Sequence, residues 1–368
     1  MVRRKYGDLL VDREEIEERW VEHFRTLLNR TAPLEQPGEN GEIILGEDGE
    51  ESTTEEILEI INHLKTNNSA GLDEISAELL KYGGRQLQEA MAKIVIEFWR
   101  REEIPEEWEE GLFVPIHKKG DRTECGNYRG ICLLTVGYKI EAKLLYNRLK
   151  RHNFKQAYDS IQREALWRIL REFRIPEKLI RLTKMCYRNM RGRVQIGGEV
   201  TGPFEVDNGL KQECALSMIP FNLVLEWVMR QTPEGNGVHF GEAMCDRLAY
   251  ADDIDFCGEN IQETDIEITI FREAANKVGL EIKEAKTKIL KVSRQERILG
   301  NIRRGNMELE AVKNFKYLGS TVTAENRVEE EVKLRIVAAA RCIWALVKVL
   351  NNNILSRRTK VKAYTTII

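Results

Sequence analysis

The sequence predicts an α+β fold. Two observations carry this. Long stretches place apolar residues at i, i+3 and i+4, the spacing of a helix face. Between them lie short apolar runs paired around Gly-, Asn- or Asp-containing turns, which read as hairpins. The 368 residues suffice for two or three domains, and 42% apolar with 32% charged residues fits a soluble globular protein.

In chain order, Ile16, Trp20 and Phe24 mark a helix over Gly7–Asn29. Pro33–Glu51, rich in Gly, Pro and acid, reads as a linker. Ser52 or Thr53 starts a helix that buries Ile57, Ile60, Ile61 and Leu64, Thr53 lying three before Glu56 at capping-box spacing. A further helix, from about Ile75 to Arg100, breaks near Gly83-Gly84. Leu112–Ile116 and Tyr128–Leu134 form a hairpin with Lys118, Lys119, Arg122 and Arg129 around its tip. Helical patterns follow at Val136–Lys150 and Ser160–Arg174, the second with Asp159 as its N-cap. Short strands flank Gly197-Gly198, and Leu216–Arg230 is a helix with Pro220 near its start, where the missing N–H is harmless. Arg247–Cys257 reads as a hairpin. Thr264–Val278 reads as a helix capped by Thr264 and Glu267 and ended by Gly279. Strands at Lys288–Val292 and Phe315–Leu318 precede a long helix, Val328–Asn351. The chain ends inside another helical pattern, as a domain cut short would.

No apolar run approaches the roughly 18 residues that cross a bilayer. The basic N-terminus lacks the apolar core of a signal peptide, so an intracellular protein of nucleus or cytoplasm is expected, not a secreted one and not a membrane partner. Seven scattered cysteines without a Cys-x-x-Cys pair suit free thiols. The net charge of −3 hides an asymmetry: Lys139–Arg193 holds sixteen Lys and Arg against five Asp and Glu. Such a stretch reads equally as a phosphate-backbone footprint and as a solvated face.

The chemistry centres on Leu248-Ala249-Tyr250-Ala251-Asp252-Asp253-Ile254-Asp255-Phe256. Adjacent carboxylates at a hairpin tip supply hard oxygen ligands for Mg²⁺. Taken alone, an Asp-Asp turn is more often just a turn. Here it belongs to an ordered series. Asn127-Tyr128-Arg129-Gly130-Ile131-Cys132-Leu133-Leu134, Ala157-Tyr158-Asp159-Ser160-Ile161, Gly209-Leu210-Lys211-Gln212 and Phe221-Asn222-Leu223 precede or flank it. Gly279-Leu280, Lys286-Thr287-Lys288 and Phe315-Lys316-Tyr317-Leu318-Gly319 follow. In content and order this series resembles the reverse transcriptases of non-long-terminal-repeat, LINE-like retrotransposons, from about Asp8 to the C-terminus.

The resemblance implies a right-hand polymerase with helical fingers, an antiparallel-sheet palm and a helical thumb. Residues 1–54 would be an N-terminal helix and acidic linker, 55–150 fingers, 151–294 palm, and 295–368 thumb. Asp252 and Asp253 would bind Mg²⁺, with Mn²⁺ as the alternative. Lys118, Lys119, Arg129, Tyr158 and Gln212 would meet the incoming dNTP. Gly209, Tyr317, Leu318 and Gly319 would meet the RNA template and DNA primer, and Lys286 would act as general acid. Read singly, Tyr158 is equally a buried aromatic, the tip cations a solvated hairpin, and Lys286 an exposed lysine.

This copy departs from the family's pattern. Asn153 stands where a metal-binding aspartate is usual, and a neutral amide offers one carbonyl oxygen. The several dozen residues expected between Lys150 and the palm strand are missing, so that strand is expected to be incomplete. Glu213-Cys214 replaces Gly-Asp, and Met218 replaces Pro. The expectation is a truncated, partly degenerate reverse transcriptase with impaired RNA-templated DNA synthesis. The rival expectations are a catalytically inactive nucleic-acid-binding remnant, another palm-type enzyme such as a cyclase, and a chain that does not fold stably.

Overall fold

The computed structural model describes residues 2–4, 7–29, 51–151, 162–207, 214, 216–235, 237–250, 253–292, 301–304 and 307–367. It divides into two units, Met1–Glu281 and Ile282–Ile368. Helices and small sheets mix throughout, as an α+β fold requires.

In the first unit, β1 (Val2–Arg3) pairs antiparallel with β2 (Leu9–Leu10). The second strand of this small hairpin occupies residues expected to be helical, and α1 (Arg13–Leu28) starts later. Asp12 sets that start: its carboxylate accepts the N–H groups of Glu14 and Glu15 at 3.0 and 3.2 Å. Trp20 and Phe24 are the buried face. In α2 (Thr54–Asn62) Thr53 Oγ1 accepts the Glu56 N–H at 3.2 Å, and Ile57, Ile60 and Ile61 are buried as the spacing requires. α3 (Ala77–Tyr82) and α4 (Arg85–Arg101) part at Gly83-Gly84, where Gly84 takes φ +89°.

β3 (Glu110–His117) and β4 (Tyr128–Leu133) form the expected hairpin, in register from Leu112↔Leu133 to His117↔Tyr128. α5 (Val136–Lys150) starts at Thr135, whose Oγ1 accepts the Tyr138 N–H at 3.4 Å. Ten of its fifteen residues are buried, which makes it the unit's central helix. α6 (Arg163–Glu172) begins after Gln162, so the cap expected at Asp159 falls on Gln162, whose side chain makes no capping bond. α7 (Glu177–Met185) leads to β5 (Arg191–Ile196), which turns through Gly197-Gly198 into β6 (Glu199–Val200); β7 (Phe204–Glu205) also pairs with β5. The sheet order is β4-β3-β5-β6, with β7 beside β5, and β3–β5 is parallel. Gly192 permits that close packing: a Cβ there would lie 2.7 Å from Phe204 Cζ and 2.8 Å from Phe113 Cε2.

α8 (Met218–Gln231) precedes two hairpins, β8 (Val238–Phe240) with β9 (Ala243–Cys245) and β10 (Arg247–Tyr250) with β11 (Asp253–Phe256). α9 (Ile261–Lys277) starts one turn before the expected Thr264. Asn260 is the cap, accepting the Glu263 N–H at 2.9 Å, while the Thr264 hydroxyl donates to the Asn260 carbonyl at 3.1 Å. Asn260 wins because its side chain reaches free N–H groups of the first turn, whereas Thr264 already lies inside the helix. Gly279 ends it at φ +80°, and the Leu280 N–H reaches the Ala275 carbonyl at 2.9 Å.

The second unit holds a sheet of order β12-β14-β13, from β12 (Lys288–Ile289), β13 (Asn301–Arg304) and β14 (Met307–Ala311). A separate hairpin joins β15 (Asn314–Tyr317) to β16 (Ser320–Thr323), followed by α10 (Val328–Leu350) and α11 (Arg357–Ile367). Glu331 ties α10 to the hairpin by accepting the Thr321 N–H at 2.8 Å. Among the described residues no helix is long and apolar enough to cross a membrane.

Candidate active site

The Tyr-Ala-Asp-Asp segment builds a hairpin in register from Arg247↔Phe256 to Tyr250↔Asp253. Side chains alternate across a strand, so Leu248, Tyr250, Asp253 and Asp255 share one face. Leu248 and Tyr250 are 47% and 64% exposed, and Asp253 is exposed, so that face is open. The other face carries Phe256, whose ring meets Phe271 of α9 edge-on at 5.3 Å. Asp255 is half-buried. Burial, and then the charge of Asp253, push its carboxyl above the ordinary carboxylate range. Two hard-oxygen donors on one open face suit a divalent cation chemically. Among the described residues no group of three or more His, Cys, Asp or Glu forms a metal cluster.

Arg247 anchors this hairpin. Its guanidinium is 2.9 Å from Asp246 and donates to the carbonyls of Met229, Thr232 and Pro233, each at 3.3 Å. It thereby satisfies carbonyls at the C-terminus of α8. The Cys257 N–H closes the base on the Asp246 carbonyl at 2.7 Å. Burial, with Cys245 next, pushes the Cys257 thiol up to about 11. Neither Asp255 nor Arg247 is among the site residues expected from sequence. Strand alternation after Asp253 was the available signal for Asp255; Arg247 offered none, since the carbonyls it reaches come from another element.

The second predicted group lies on the β3–β4 hairpin, where Lys118, Lys119, Arg122 and Arg129 are exposed. The tip between them is well tied. The Lys118 N–H donates to the Asn127 carbonyl at 2.9 Å, Asn127 Nδ2 to the Asp121 carbonyl at 2.9 Å, and the Tyr128 hydroxyl to the Arg122 carbonyl at 2.8 Å. Asp121 accepts both the N–H and the hydroxyl of Thr123, and the backbone bond first holds its carboxyl below the ordinary range. The Arg3 N–H donates to the Thr123 carbonyl at 2.8 Å, so the N-terminal strand braces the same loop.

The basic stretch is not one continuous charged face. Arg148 pairs with Glu56, Arg171 with Glu177, Arg181 with Glu102, and Arg191 and Arg193 with Glu110. Those arginines join elements of the fold. Lys184 and Arg188, both exposed, line a cavity of about 820 Å³ that Trp167 and Tyr187 also border.

In the second unit, Lys286 is exposed in a turn, its N–H donating to the Lys283 carbonyl at 2.9 Å. Tyr317 ends β15, and Leu318-Gly319 are the two turn residues before Ser320, with φ +47° and +89°. Asp252, Asn153, Tyr158, Gly209 and Gln212 lie outside the described residues. Among the described residues no third strand pairs with β10–β11.

Residues 152–322 match the model of the reverse transcriptase (RNA-dependent DNA polymerase) family, and the carboxylate hairpin falls inside that span. The chain carries a reverse transcriptase domain. It is 22% identical over 190 residues to a retrovirus-related Pol polyprotein from type-1 retrotransposable element R2 of Nasonia vitripennis, covering 49% of this chain and 18% of that protein. It is 22% identical over 249 residues to the transposon TX1 uncharacterized 149 kDa protein of Xenopus laevis, covering 55% and 19%. It is 29% identical over 149 residues to a putative 115 kDa protein in type-1 retrotransposable element R1DM of Drosophila melanogaster, covering 40% and 14%. The chain thus spans less than a fifth of each relative's length, and each of these relatives is named for a transposable element.

Of the departures after Gln212, Cys214 packs into a buried polar cluster. Cys214 is 3% exposed, its thiol 3.8 Å from the Tyr138 hydroxyl. The Tyr187 hydroxyl is 2.9 Å from Ser217 Oγ, at the residue before α8, and Trp227 Nε1 donates to Glu172 at 2.7 Å. These bonds fix α8 against α5 and α6, and α8 in turn receives Arg247 at its far end.

Proposed function

We propose that this chain is the polymerase part of a LINE-like element protein, built for RNA-templated DNA synthesis from a DNA primer with dNTPs, and that this copy is impaired. The supporting observation is the Tyr-Ala-Asp-Asp hairpin with Asp253 and Asp255 on its open face, inside the matched domain. Asp252 and Asp253 would hold Mg²⁺, or Mn²⁺, with Asp255 on the same open face as Asp253. A divalent ion at such a site activates the attacking hydroxyl and stabilises charge on phosphate. The chain's own residues would do the rest. Lys118, Lys119 and Arg129 neutralise the triphosphate. Tyr158 excludes a 2′-hydroxyl, and Gly209 and Gln212 shape the template loop. Tyr317, Leu318 and Gly319 hold the primer, and Lys286 protonates the leaving pyrophosphate. Fingers, palm and thumb would follow the divisions 55–150, 151–294 and 295–368.

A second reading, a nucleic-acid-binding remnant without activity, rests on Asn153 at the ligand position. Primer extension on an RNA template with dNTPs and Mg²⁺ separates the two. Extension by the unmodified chain that disappears in Asp252→Ala establishes the polymerase and removes the impairment. Extension only by Asn153→Asp locates the lesion in one carboxylate. Extension by neither, with salt-sensitive primer–template binding retained, leaves the remnant.

A further inference from the structure

The helix α10 has no buried residue along its 23 positions, although most of them are apolar or Ala. Its half-buried residues are Glu331, Ala339, Cys342, Leu346, Val347 and Leu350, and all but Val347 lie on one side. The opposite side carries Glu330, Leu334, Val337, Arg341, Trp344 and Lys348, spaced alternately by four and three residues, which is the a/d spacing of a coiled-coil seam. Leu334, Val337 and Trp344 are 50%, 47% and 78% exposed. Exposed apolar surface arranged as a seam marks an interaction face.

The seam is complementary to itself. Around Ala339, Glu330 mirrors Lys348, Leu334 mirrors Trp344, and Val337 mirrors Arg341. An antiparallel copy therefore sets acid against base at both ends and Leu against Trp between them. Ala338 and Ala340 flank the seam on either side at the crossing and leave room for two backbones to approach, while Ala339 marks the level of the crossing from the far side. A parallel copy would set Glu330, Arg341 and Lys348 each against its own like, which costs free energy. We propose that α10 is a homodimerisation helix that pairs antiparallel with α10 of a second copy of this chain about a two-fold axis at Ala339. The inference is independent of the polymerase reading. One helix pair falls at the small end of interfaces, below about 1,200 Å² in total, so association is weak and concentration-dependent.

Sedimentation of the full chain over a range of concentrations tests this, with circular dichroism confirming that each variant folds. The expected result is a monomer–dimer equilibrium that Trp344→Glu weakens by at least about tenfold. Glu330→Lys and Lys348→Glu should each weaken it, and the two together should restore it, because only antiparallel pairing opposes these positions. A monomer at every concentration overturns the proposal. So does a dimer indifferent to Trp344→Glu, or a double variant no better than either single one. A Trp344 fluorescence change that needs added RNA–DNA duplex, without self-association, overturns it in favour of a nucleic-acid face.

Discussion

Arg148 Nη2 lies 2.6 Å from Glu56 Oε2, joining α5 to α2 between side chains that are 7% and 20% exposed. The same Arg148 guanidinium lies over the Trp99 ring at 5.4 Å. Removing the carboxylate takes a counter-charge from a buried cation, which costs more than the pair contributes. Glu56→Ala should lose about 3 kcal/mol, while the double variant Glu56→Leu, Arg148→Met should lose clearly less. Urea denaturation of the unmodified chain and the two variants checks this; equal losses for the single and double variants would show that packing, not charge, sets the cost.

Glu141 sits seven residues before Arg148 on α5, fully buried, with neither carboxylate oxygen hydrogen-bonded. Burial, and then the charge of Glu56, hold its carboxyl well above the ordinary range. Between the ordinary value of about 4.3 and the raised one, the folded chain keeps a proton that the unfolded chain has released. Stability from this group is therefore complete at acid pH and falls as pH rises through that window. Glu141→Gln is neutral throughout and should gain at least about 1 kcal/mol on the unmodified chain at neutral pH, the gain vanishing toward pH 4. Thermal denaturation of both across that range decides it; a gain independent of pH would mean that the carboxylate is not protonated in the fold.

Gly130 faces the Phe24 ring so closely that a Cβ would lie 2.3 Å from Cε1. Phe24 cannot retreat easily, since it stacks on Trp20 at 5.9 Å and meets Phe113 at 5.5 Å. Gly130→Ala should cost about 1–3 kcal/mol through overpacking. Gly126→Ala, where nothing lies within 4 Å, is the control and should be nearly neutral. Comparable melting temperatures for the two would show that α1 yields and is not fixed on the sheet.

How far the sequence could be read follows from how local each cause is. Thr53 with Glu56, Gly83-Gly84 and the β3–β4 hairpin were legible because their determinants lie within a few residues. The start of α1 was misplaced because the apolar spacing does not mark where Asp12 caps it, and that of α9 because Asn260 and Thr264 competed as caps. The pairing of β3 with β5 was invisible, because about eighty residues separate Glu110 from Arg191. In the site, the carboxylate pair showed in the tetrapeptide, but Arg247 acquired its meaning only from the α8 carbonyls it reaches. Likewise the arginines of the basic stretch could not be told from a phosphate footprint until their glutamate partners came into view.

Leu318 occupies the first position of the two-residue turn between Tyr317 and Ser320 at φ +47°, followed by Gly319 at +89°. Two positive φ values in such a turn match the twist of the hairpin, but a Leu there carries roughly 1–2 kcal/mol of strain that Gly or Asn avoids. The side chain is 54% exposed, so burial does not offset that strain. Retained strain at an exposed tip points to a contact made outside the folded chain. Leu318→Asn should raise stability by about 0.5–1 kcal/mol and at the same time weaken primer–template binding. Denaturation and binding measured on the same preparation separate the explanations: a stabler chain that binds equally well would remove Leu318 from the primer contact, and a chain that is not stabilised would show that the turn already accommodates leucine.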